Sequence, residues 1–213
     1  MVRLFVVLLT ILSQPTLGAR CKDSLSEFKI SGVNSQEAIS SLKKLNGVDI
    51  KKIEEQMRPG ARGKEGSQGG FLGADESLIE VLLADNNLVV NKLGLTHEKV
   101  AKPLNVANEA YWDENKVGVT GSYQGRDVTF YNFYFQGQEY RFTVLQTRGV
   151  QFSPFFDNTG GSYTMTIIAK DGRTFHFASL VPEMISRYGF YEGPKSPYRV
   201  DPTEIVEFFK LKK

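Results

Sequence analysis

A chain of 213 residues with 26 Lys and Arg against 24 Asp and Glu is close to neutral, at a formal charge of +2. Neither sign is gathered into a tail, which excludes long-range attraction to nucleic acid phosphate as an organising force. The single cysteine excludes an internal disulfide.

The first segment has the order of a secretory signal peptide. Arg3 precedes an apolar run over residues 4–12, Ser13-Gln14-Pro15 breaks it, and the small residues Thr16 and Gly18 follow, which predicts a signal over residues 1–18. The run is too short to cross a bilayer core of about 30 Å, and no later segment is long and apolar enough to span a membrane. A periplasmic or secreted location is expected. A bacterial source fits the lack of any Asn-x-Ser/Thr acceptor. Cys21 follows Arg20, where lipid attachment would require a small residue, so it is expected to be a free thiol.

Residues 19–58 read as a small helical segment. Asn34 or Ser35 starts a helix with Glu37 in capping-box position; Ala38, Ile39, Leu42 and Leu45 form its stripe, and Asn46-Gly47 closes it. Ile50, Ile53 and Met57 predict a second short helix. Residues 59–73, with glycine at every third position from Gly60 to Gly69, read as a flexible linker.

The third unit, residues 74–213, is expected to be an α+β domain with helices over 75–110 and a sheet over 117–179. Asp75 is positioned to cap a helix with Leu78, Ile79, Leu82 and Leu83 on its apolar face. It ends at Asp85-Asn86-Asn87 or runs on to Leu93 with Gly94 as terminator. Thr96 caps the next helix, which Pro103 is expected to bend or divide, with Val100, Leu104 and Ala107 inward. His97 lies in its first turn, as a solvent-facing or capping residue.

Composition changes near residue 110. All nine tyrosines, the only tryptophan and 12 of the 15 phenylalanines lie at or beyond Tyr111, which marks the sheet layer. DVTFYNFYF and EYRFTVLQT flank a turn at Gln136-Gly137-Gln138 and read as a hairpin. Val128, Phe130, Asn132 and Tyr134 alternate with Thr129, Tyr131, Phe133 and Phe135; Tyr140, Phe142 and Val144 alternate with Glu139, Arg141, Thr143 and Leu145. A strand over 163–169, a turn at Lys170-Asp171-Gly172-Arg173 and a return over 174–179 follow. Pro182 to Arg187 predicts a short helix ended by Gly189. Asp201-Pro202-Thr203-Glu204 opens a last helix that packs Ile205, Phe208 and Phe209 on the sheet. The predicted fold class is α+β: N-terminal helices packed with a mainly antiparallel sheet of four or five strands, and a C-terminal helix.

No motif identifies a chemistry. His176 shares a strand face with Thr174 and Ala178 and is the one weak catalytic candidate, as general base of a small secreted hydrolase with a hydroxyl and an acid from elsewhere. Asp157-Asn158-Thr159-Gly160 is only a fragment of a calcium loop, and no metal or cofactor is expected. Binding is the favoured function. Phe152, Phe155 and Phe156 surround Ser153-Pro154, and residues 188–198 add Tyr188, Tyr191 and Tyr198 amid glycine and proline. With Arg141, these are the expected ligand contacts of an exported, non-enzymatic protein that meets a protein or cell-envelope partner, and no nucleic acid.

Overall fold

The computed structural model describes residues 34–61 and 68–213. The expected signal peptide, Cys21 and the centre of the Gly-rich stretch lie outside these residues.

The chain opens with helix α1 (Asn34–Ser40), then a small hairpin of β1 (Lys44–Leu45) and β2 (Val48–Asp49). Asn46-Gly47 is therefore a hairpin turn, where a helix end was expected. Both residues have positive φ, 51° and 76°, the backbone that matches the twist of two antiparallel strands. Helix α2 (Ile50–Met57) follows at once, capped by the Asp49 carboxylate on the Lys51 amide, with Ile50, Ile53 and Met57 on its buried face.

Helix α3 (Leu78–Asn86) shows a second departure from the local reading. Asp75 does not cap it: its carboxylate pairs with Lys195 Nζ at 2.6 Å, and Ser77, in the cap position, makes no capping bond. The Leu78 amide donates instead to Glu54 of α2, at 2.8 Å. Arg58 holds Glu54 at 2.6 Å and donates its other branch to the Gly73 carbonyl at 2.5 Å. One carboxylate thus caps a helix 24 residues away. We predict that Glu54→Ala costs about 1–2 kcal/mol, as expected for losing a cap together with a charged hydrogen bond. Urea unfolding checks this, and an unchanged midpoint would show that water replaces both contacts without loss.

Helix α3 runs on through a π-helical turn (Asn87–Lys92), and Gly94, at φ 67°, ends it. Helix α4 (His97–Trp112) is capped by Thr96 and passes through Pro103 undivided. Proline removes only the bond to the Lys99 carbonyl, and burial of Val100, Ala101, Pro103, Leu104 and Ala107 along one stripe keeps the helix in place.

The sheet is a five-stranded antiparallel meander: β3 (Val119–Tyr123), β4 (Arg126–Phe135), β5 (Gln138–Phe152), β6 (Gly160–Ala169) and β7 (Thr174–Ala178), in that order. The expected alternation holds. Register pairs Phe133 with Tyr140, Phe142 with Ile167 and Ile167 with Phe175, all on the inner face. Helix α5 (Val181–Tyr188) packs against α4, and α6 (Pro202–Phe209), capped by Asp201, sets Phe208 and Phe209 against Phe135, Tyr140 and Phe175.

On the outer face the same register lines up Val119, Phe130, Thr143, Thr166 and His176 across all five strands. Phe130 is buried there, its ring lying beside Gly121 of β3 with the Arg141 guanidinium 4.2 Å from its centre.

One apolar cluster joins Ile39, Ile53 and Met57 of the first helices to the sheet core. Phe71 and Leu72, at the end of the expected linker, are buried in it, with the Phe71 amide donating to the Met57 carbonyl at 2.8 Å. Among the described residues no helix is long and apolar enough to cross a membrane.

Candidate functional site

The aromatic residues proposed as contacts separate into two groups. Phe155, Tyr188 and Tyr191 are core residues. Phe155 stacks on Tyr188 with ring centres 4.0 Å apart, and the Tyr188 hydroxyl donates to Asp157 at 2.7 Å while accepting from Asn46 at 2.9 Å. Buried in this way, these three rings offer no face to a ligand. Their clustering among glycine and proline reflects how the loops close the core. Phe152 and Tyr198, each 55% exposed, and Phe156, at 39%, remain on the surface. Arg141 is exposed on the outer sheet face and, with Asn132, Glu139 and Lys170, lines a shallow recess of about 410 Å³.

His176 is exposed on that outer face, and its Nδ1 lies 2.8 Å from Thr166 Oγ1. Base and hydroxyl are therefore in reach of each other. Among the described residues no carboxylate hydrogen-bonds or pairs with the ring, so the orienting acid of a triad is missing. No group of three or more potential metal ligands is gathered among the described residues. Asp157, in the calcium-like fragment, is occupied by the Thr159 amide and hydroxyl at 3.1 and 2.6 Å.

Two arrangements were not anticipated. The first is a buried polar network where the 190–200 segment meets α3 and α4. Asp85 is a buried carboxylate held by both Arg199 branches, at 2.6 and 3.2 Å, and Arg199 also donates to the Glu192 carbonyl. Burial pushes the Asp85 carboxyl above its ordinary value, against the pull of Arg199. Burial likewise lifts Glu192 to about 7; Ser196 bonds its carboxyl at 2.5 Å and reaches the Gly70 carbonyl at 3.1 Å. His97, expected at the surface, is instead turned inward, between the Tyr191 hydroxyl at 3.1 Å and Asn86 Oδ1 at 3.3 Å, and burial lowers it to about 4. It is a neutral imidazole bridging the two helices to the loop. Every member is bonded to another protein group, so the network serves as a tie.

The second is a cleft of about 590 Å³ between α4 and the start of β6. Asn105, Asn108, Glu109 and Trp112 line it from α4, Gly160, Gly161 and Ser162 from β6, and Glu183 from α5. Trp112, the only tryptophan, is 66% exposed at the rim. Its indole N–H donates to Tyr163 Oη at 3.2 Å, Tyr163 donates to Asn108 Oδ1 at 3.2 Å, and the Asn108 amide donates to the Ser179 carbonyl at 3.1 Å. The Tyr111 ring meets the indole edge-on at 5.2 Å. A large ring is thus locked in position while most of its surface faces water, which is the reverse of how a protein ordinarily places tryptophan. The sequence does carry a signal for it. Asn105, Glu109 and Trp112 are spaced i, i+4, i+7, a polar stripe opposite Val100, Leu104 and Ala107, and tryptophan on such a stripe is anomalous.

The class defined by these observations is an α+β protein with a five-stranded antiparallel meander, helices on its inner face and a tryptophan-rimmed polar cleft at one end. No family model, curated protein or solved structure matches the chain.

Proposed function

We propose that the protein is an exported, non-enzymatic binding protein whose ligand lodges in the cleft between α4 and β6, against Trp112. The observation that carries this reading is the indole itself, exposed yet pinned through Tyr163 and Asn108. A ring fixed before the ligand arrives loses little side-chain entropy on binding, and covering it supplies up to about 4 kcal/mol of apolar burial. Export is supported by the charged, apolar and small-residue order of residues 3–18. The pair of His176 and Thr166 lies on the outer sheet face without an acid behind it, which favours binding over hydrolysis.

The sole tryptophan makes the test direct. Titrating the full chain with neutral oligosaccharides, a lysine-rich peptide and a uronate oligosaccharide is expected to shift Trp112 emission, and protect it from acrylamide, with one of the three. Unchanged emission with every probe would remove the cleft as the binding surface. Export is checked separately by sequencing the N-terminus of protein from the periplasmic or culture fraction. A start at residue 19 is expected, and an uncleaved cytosolic chain overturns it.

A further inference from the structure

We infer that the ligand is a neutral polyhydroxylated ring, a pyranose unit of a glycan chain, stacked on the exposed face of Trp112. This rests on the cleft reading above and names the chemistry it selects.

The donor and acceptor character of the lining decides among ligand classes. The Asn105 side chain bonds to no other described residue and offers an amide donor and a carbonyl acceptor to the cleft. Glu109 adds acceptors only, and the Ser162 hydroxyl adds both. Hydroxyl groups, each donor and acceptor at once, satisfy such a mixture. An ammonium donates only, and would leave the Asn105 N–H and the hydroxyl hydrogens without acceptors when it excluded water. An anionic ligand would meet Glu109 and Glu183 with no Lys or Arg lining the cleft. Glu183 is engaged by Arg187 at 2.5 Å, so the negative charge open to a cation is that of Glu109 alone.

Geometry agrees with the chemistry. From Asn105 to Trp112 the stripe rises about 10 Å along α4, the scale of a disaccharide. The apolar C–H face of one sugar ring covers the indole while the equatorial hydroxyls of the next reach Asn105 and Glu109. Glycines 160 and 161 on the opposite wall are closely packed, the first against Val150 and the second against Ser179 and Leu180, so that wall is fixed by the sheet and gives the ligand a firm back.

The test is calorimetry on the full chain with malto-, cello- and chito-oligosaccharides, a trimethyl-lysine peptide and an oligouronate. One neutral oligosaccharide is expected to bind with an affinity insensitive to salt between 0.05 and 0.5 M, roughly the range over which the Debye length shrinks below the contact scale. Trp112→Ala should weaken it about a hundredfold or more, and Trp112→Phe, which keeps a ring, by clearly less. Asn105→Ala should weaken it about tenfold, and Glu109→Gln by no more than that, with circular dichroism verifying each fold. Binding of the trimethyl-lysine peptide alone, lost with salt and with Glu109→Gln, would keep the cleft and overturn the sugar. A sugar that binds Trp112→Ala undiminished would overturn both, as would the absence of binding by every probe.

Discussion

Replacing Arg199 by alanine is expected to lower the unfolding free energy by about 3–5 kcal/mol, the largest loss for a single polar side chain in this protein. Asp85 is almost wholly buried, and Arg199 is its ion-pair partner. Coulomb attraction offsets the desolvation of the carboxylate only while both partners are present, so truncating one leaves a charge in a low-dielectric site. The Glu192 carbonyl loses a donor in the same step. A drop of roughly 10 °C in Tm follows for a domain of this size. Urea unfolding of Arg199→Ala, Asp85→Asn and the double variant tests the coupling. The double variant should be more stable than additivity allows, and strictly additive losses would show that the two side chains act independently.

The second large effect depends on pH. Glu192 is lifted from an ordinary 4.5 to about 7 in the folded protein, by burial, with Ser196 and Arg199 pulling the other way. A carboxyl raised on folding binds its proton more tightly in the native state. Its contribution to stability is therefore fully present below about 4.5 and falls as pH rises through about 7, by roughly 3 kcal/mol in all. The Ser196 hydroxyl, within reach of both the Glu192 carboxyl and the Gly70 carbonyl, opposes the shift without cancelling it, so the neutral acid is the folded form below about 7. Glu192→Gln copies that neutral form. The variant should match the wild type near pH 4.5 and exceed its stability by about 3 kcal/mol at pH 8. His97 acts with the opposite sign, because its folded value near 4 lies below the ordinary 6.5 and stability is lost as pH falls between the two. The wild-type profile thus contains two opposed slopes, and the difference between wild type and Glu192→Gln isolates one. A difference that stays flat from pH 5 to pH 8 would place the Glu192 carboxylate in contact with solvent.

Both predictions concern residues with no mark in the local sequence. Asp85 and Glu192 resemble ordinary surface acids, since the partner that justifies burying Asp85 lies 114 residues away and the contacts of Glu192 depend on how a Gly- and Pro-rich loop folds back. The cap of α3 shows the same limit. Asp75 has the right type and nearly the right place, yet Glu54 takes the role because α2 packs beside the start of α3. Pro103 fails to divide α4, since burial of the stripe around it outweighs one lost hydrogen bond. Phe155, Tyr188 and Tyr191 look available in a loop and are withdrawn from solvent by their stacking and hydrogen bonds.

Short-range order was legible. Alternation with a period of two placed the side chains of residues 128–135 and 139–145 on their faces, and Gln136-Gly137 set the turn between them, because pleat and turn backbone depend on neighbours a few positions apart. Asp201-Pro202 likewise marked the start of α6 within one helical turn. The α+β class follows from such local rules combined with the aromatic concentration after residue 110. Which polar groups are buried follows from no local rule. The pinning of Trp112 by Tyr163, the confinement of Glu192 and the inward turn of His97 each depend on surfaces from distant segments meeting, and a window of a few residues contains neither surface.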